Sequence, residues 1–188
     1  MLKSSLADRL KSSISVTAKV LWTRRPEILL CPQIPKPMHQ LAPRVILGQR
    51  WWDETRQAAY VSANHHCIAC GDYYPSHLEA HEVYSIDYLA GRMTYIETVP
   101  LCHLCHCYIH IGRLQALLNK GEVSQDKFTH VLLHGDQVLL NAKLKRAELY
   151  EGPFADWNKW RLVLNGKEYK PVFKTYKAWC KHFGVKDA

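Results

Sequence analysis

Apolar residues recur at helical spacing over residues 47–62, where Trp51, Trp52, Tyr60 and Val61 are interleaved with Arg50, Asp53, Glu54, Arg56 and Gln57. The same spacing returns over 105–119, with Ile109, Ile111, Leu114, Leu117 and Leu118 on the apolar side and Gly121 as the stop. Between these helices lie two short strand candidates, 77–84 and 95–99, separated by Ala90-Gly91. Strand, strand, helix is therefore the expected order through the middle of the chain. Further on, Ser124 and Asp136 are N-cap residue types and predict helices over 124–134 and 136–149. Asn165-Gly166 between 160–164 and 167–172 predicts a hairpin with a type I′ turn. A last helix is expected over 175–183, ended by Gly184. Near the start, five of the nine prolines fall within 26–43, an extended linker or a strap laid over the domain, preceded by a weakly periodic helix candidate at 6–20.

The pattern predicts an α+β fold and three regions: a basic arm with its proline-rich linker at 1–43, a compact domain at 44–122, and a basic extension at 123–188. Charge sharpens the division. The net charge is +8, with balances of +6 over 1–64, −3 over 65–135 and +5 over 136–188. Basic flanks around an acidic centre suit polyanionic partners, although basic surface is also an ordinary means to solubility. Trp51 and Trp52 beside Arg50 and Arg56, and Trp157, Trp160 and Trp179 among Lys159, Arg161, Lys167, Lys170, Lys174 and Lys177, pair aromatic rings with cations. Such groups stack on bases and neutralise phosphates; the tryptophans equally suit core packing. No run of eighteen apolar residues suggests a membrane span. The first 25 residues, rich in Ser, Lys and Arg with Asp8 the lone acid, fit a basic binding arm and also share the composition of a transit peptide.

The seven cysteines are an odd number, which argues against a complete disulfide framework. Four of them form two Cys-x-x-Cys pairs, Cys67/Cys70 and Cys102/Cys105. Each pair can grip one ion at about 2.3 Å, so together they offer a structural Zn²⁺ site that staples the two central helices. His65, His66 and His103 lie close enough in sequence to replace a thiolate. Cys31, Cys107 and Cys180 are expected to behave as small buried apolar residues.

His106 and His110 are four apart on a predicted helix and so share a face, placed to hold a divalent metal together. His81 lies in the first strand candidate, with Glu79 on the same strand face as a further metal ligand and Glu82 as the competing carboxylate. A free imidazole at 81 could take a proton from water while a metal, Mg²⁺ or Mn²⁺ or again Zn²⁺, stabilises charge on a phosphodiester.

Cys67-Ile-Ala-Cys-Gly71, Leu78-Glu-Ala-His-Glu82 and Leu101-Cys-His-Leu-Cys-His-Cys-Tyr-Ile-His110 together resemble the HNH endonuclease family, and in particular its uncharacterised bacterial and phage members. The resemblance covers about a quarter of the chain. It implies a ββα-metal module, zinc on the four cysteines, His81 as general base, His106 with His110 as ligands of a catalytic metal, and duplex DNA as substrate in the cytoplasm of a bacterial or phage-infected cell. The chain departs from the family pattern at two points. Ala80 stands where the family places a metal-binding Asp or His, and no asparagine occurs between Asn64 and Asn119, leaving Asp87 or Thr98 as substitutes. A module that binds nucleic acid or a protein partner without cutting is accordingly the alternative expectation.

Overall fold

The computed structural model describes residues 22–186, so the helix candidate at 6–20 lies outside the described residues. Among the described residues the fold is mixed α+β, with five α-helices and one four-stranded sheet. The elements in chain order are α1 (Pro43–Ser62), β1 (Glu79–Asp87), β2 (Arg92–Leu101), α2 (His103–Ile109), α3 (Ile111–Asn119), α4 (Gln125–Asn141), β3 (Arg161–Leu164), β4 (Lys167–Tyr169) and α5 (Tyr176–Phe183).

Helix α1 begins earlier than its apolar pattern suggested. Pro43 at its start has the φ that a first helical turn requires, and the helix then breaks at Gly48, whose φ of 86° is non-helical. Strands β1 and β2 pair antiparallel from Glu79↔Leu101 to Asp87↔Arg92, both longer than predicted, with a register shift at Val83/Tyr84. The expected single helix at 105–119 is two helices. His110, at φ −93° and ψ 37°, leaves helical geometry and redirects the chain between α2 and α3.

The reverse correction applies further on. The two helices expected at 124–134 and 136–149 are one, α4, which runs through Gly135 and stops at Asn141. Asp136 is not an N-cap; its carboxylate accepts the Tyr108 hydroxyl at 2.8 Å and a two-pronged grip from Arg146 at 2.7 Å to each oxygen. Ser124 is the N-cap, accepting the Lys127 amide. Residues 142–156 contain no helix or strand.

The C-terminal hairpin forms as expected, with Asn165 and Gly166 both at positive φ as a type I′ turn requires. The hairpin also joins the main sheet. β3 lies parallel to β2, pairing Met93 with Leu162, and gives the order β1-β2-β3-β4. The proline-rich segment 26–43 is the strap. Ile28 and Leu29 are buried in the core around the cysteines, while Met38 and Leu41 pack with Met93, Trp160 and Leu162 in a second cluster beneath the sheet. Helix α5 has Thr175 as N-cap and left-handed Gly184 as C-cap.

Gly135 sets how closely α4 approaches α2. A Cβ there would sit 2.1 Å from the Tyr108 ring, which is buried and hydrogen-bonded at its far end. Alanine would gain about 1 kcal/mol of helix propensity, but displacing a packed ring costs about 1–3 kcal/mol and also disturbs the Asp136–Arg146 pair. Gly135→Ala is expected to lower the unfolding free energy in a denaturant titration; unchanged or raised stability would contradict this packing.

Candidate metal centre

The first Cys-x-x-Cys turn follows α1 directly. Gly71, at φ +89°, closes it by donating its amide to the Cys67 carbonyl at 2.9 Å, and the Ile68 amide donates to Pro100 O at 2.9 Å, tying the turn to the end of β2. The second turn grows out of β2 itself. Leu101 ends the strand, Cys102 caps α2, and the Cys102 sulfur accepts the Cys105 amide at 3.5 Å. The two turns bring all four sulfurs within 4.8 Å of one another, and Cys70 and Cys102 are 3.9 Å apart. A disulfide needs about 2.05 Å, whereas a tetrahedral ion with sulfur bonds of about 2.3 Å needs sulfur–sulfur edges of about 3.8 Å. The cysteines are free, Cys67, Cys102 and Cys105 are buried, and the donor set fits one Zn²⁺.

None of the histidines considered as replacement ligands belongs to this set. His66 stacks on Trp22 and bonds to the Ala63 and Asn64 carbonyls, and His103 turns to Glu79. A histidine not singled out from sequence does reach the sulfurs: Nε2 of His134, on α4, lies 3.3 Å from the Cys105 sulfur and 4.0 Å from that of Cys102. Of the remaining cysteines, Cys180 is buried as expected, while Cys31 and Cys107 are only partly covered.

The clamp places the second constellation. His81 pairs with Val99 on β2, three residues before Cys102, and His106 follows Cys105 in α2. His81, His106 and His110 thus converge, each offering one nitrogen within 4.8 Å of the others. Their ring centroids are 5.5 Å (81–106), 5.1 Å (81–110) and 4.7 Å (106–110) apart. His81 is 6% exposed. Burial first, then the neighbouring His110 and His106, pulls its pKa from 6.5 down to about 3; burial, His106 and Arg113 bring His110 down to about 4. Both rings are therefore neutral near pH 7, the form that donates a lone pair to a metal or accepts a proton.

Glu79 does not join this set. Its two oxygens accept Nδ1–H of His103, at 2.7 Å, and Nδ1–H of His106. Burial works against the charge, but the bonds from His103 and His106 outweigh it and hold the carboxyl below its usual range. Glu79 is thus a partner behind His106, the position from which carboxylates orient metal-ligating imidazoles. Glu82, the competing choice, is also outside the set. Its Oε1 is buried without a hydrogen bond, 3.9 Å from Arg44 Nε, and burial raises its pKa. Neither substitute for the missing asparagine is in the set: Asp87 accepts the Ala90 amide in the β1–β2 turn, and Thr98 bonds Tyr95.

The flanking cations expected to meet phosphate are largely engaged locally. Arg50 pairs with Glu54, Arg56 with Asp53 and Lys159 with Asp156, and Arg161 bonds the Asn158 and Trp160 carbonyls. Lys167 and Lys170 are exposed on and just beyond β4. Two arginines that sequence did not single out, Arg44 and Arg113, are the cations whose charge reaches His110. Trp160 and Trp179 are buried, Trp51 and Trp52 are half-buried, and Trp157 donates to Phe173 O, which is packing rather than an open stacking platform. No helix among the described residues is long and apolar enough to cross a membrane. Compared with protein-family models, curated proteins and solved structures, the chain matches none.

Because a carboxylate only accepts, Glu79 fixes the proton of His106 on Nδ1 and leaves Nε2 free. Glu79→Ala should release that tautomer. Imidazole nitrogen NMR is expected to show an Nδ1-protonated ring in the unsubstituted protein and a shift toward Nε2 protonation in the variant; identical spectra would contradict the orienting role.

Proposed function

We propose that this chain is a metal-dependent DNA endonuclease of the HNH, ββα-metal kind. The observation that carries the reading is the convergence of three imidazoles, from a β-hairpin and the helix after it, beside a four-sulfur clamp. His106 and His110 would hold a divalent ion, with Glu79 aligning the first of them. The ion would supply Lewis-acid stabilisation of charge on the phosphoryl group and the leaving oxygen. His81, neutral and shielded, would accept the proton of the attacking water at its free nitrogen, and an approaching phosphate would favour the protonated ring. Arg44 and Arg113 would attract the phosphate. Imidazole donors suit Zn²⁺ better than Mg²⁺, with Mn²⁺ intermediate, and the four sulfurs would hold a structural Zn²⁺.

A second reading is favoured by the inclusion of His81 within ligand distance of the other two rings and by Ala80 beside it. His81 would then complete a three-histidine metal site, and the module would bind nucleic acid or a protein partner without cutting.

Supercoiled plasmid incubated with zinc-loaded protein and added Mg²⁺, Mn²⁺ or Zn²⁺ separates the two. Nicked or linear product is expected, strongest with a transition ion, and His81→Ala should abolish it while leaving zinc content and circular dichroism unchanged. Intact plasmid with every ion, from folded protein, would contradict the nuclease. Salt-sensitive DNA binding without cleavage would select a nucleic-acid-binding module, and a stoichiometric protein partner without DNA affinity the other form.

A further inference from the structure

Four thiolates around one divalent cation leave a net charge of −2. In a buried site that charge is costly unless nearby N–H groups point at the sulfurs. Within the clamp, one donor is local to the second turn: the Cys105 amide on the Cys102 sulfur at 3.5 Å. Cys105 is fully buried, and the ring facing its sulfur comes from more than twenty residues further along the chain.

That ring is His134. Helix α4 packs against α2 with Gly135 flush against Tyr108, and this close approach aims the preceding residue at the sulfurs. Nε2 of His134 comes to 3.3 Å from Cys105 and 4.0 Å from Cys102, and among the described residues the side chain makes no other hydrogen bond. Val131, one turn earlier on α4, is fully buried in the same core, so the helix face carrying His134 is anchored. The ring is half-buried, which limits competition from water.

We infer that His134 belongs to the metal clamp as an outer partner: its Nε2–H donates to the Cys105 sulfur, and secondarily to Cys102, when the four cysteines hold Zn²⁺. Both α2 and α4 are then fastened to the ion, α2 by bonding it and α4 through this hydrogen bond. The clamp therefore secures a helix that contains none of its ligands. Removing the donor leaves the negative charge on the buried Cys105 sulfur without that partner, and the ion is easier to lose. The inference is independent of whether the chain cuts DNA, since it concerns retention of the structural ion alone.

The test begins with zinc transfer from the loaded full-length chain to a chromogenic chelator. Loss of a partner behind a ligand typically costs ten- to a hundred-fold in affinity, so His134→Ala is expected to release zinc about ten-fold faster or more. His134→Gln, whose amide still offers an N–H, should fall between the two. Equal rates in all three proteins would overturn the inference. A second measurement needs no variant: nuclear magnetic resonance of the chain loaded with ¹¹³Cd²⁺ is expected to show coupling between cadmium and the His134 Nε2–H proton across the N–H···S bond. Absence of that coupling would overturn the assignment. So would direct one-bond coupling from cadmium to the His134 nitrogen, which would make the residue a ligand.

Discussion

Four sulfur atoms held within 4.8 Å of one another in a largely buried setting cannot all be ionised unless a cation sits among them. Everything else in the centre of this protein is positioned by that constraint. One Cys-x-x-Cys turn follows α1 and the other starts α2. An ion shared between them would fix where the β1–β2 hairpin is anchored and where α2 departs from it. His81 lies on one side of that junction and His106 and His110 on the other. The imidazole site follows from the sulfur site because the residues that separate them are few and backbone-bonded.

Much of this was legible in the sequence for a local reason. Cys-x-x-Cys turns, the four-residue spacing of His106 and His110, and the Asn165-Gly166 turn each encode geometry within a handful of residues, so spacing alone predicts the structure. Boundaries were harder to read. Asp136 reads as an N-cap, yet it lies inside one helix whose Gly135 is the contact surface for Tyr108, and splitting α4 there hid His134 as a terminal residue. His110 reads as mid-helix, yet it is where the chain turns.

What sequence could not supply was pairing over distance. Parallel pairing of β3 with β2 joins segments about seventy residues apart through backbone hydrogen bonds, which leave no local pattern. Glu79 has the right alternation to share a face with His81, but two histidines of α2 claim its oxygens first, and only the packing of helix on hairpin reveals that competition. Charge balance along the chain is equally silent on pairing. Arg50, Arg56 and Lys159 are balanced by acids within four residues, while Arg44, in the first turn of α1, and Arg113, on α3, act on the imidazole site.

Whether the centre depends on an ion held by the four sulfurs is tested most directly by following near-ultraviolet circular dichroism and thermal unfolding as metal is extracted, with elemental analysis at each stage. One tightly held zinc per chain is expected, and its removal should abolish the cooperative transition and the aromatic signal together. A metal-free chain that keeps its melting temperature and its aromatic spectrum would contradict the account.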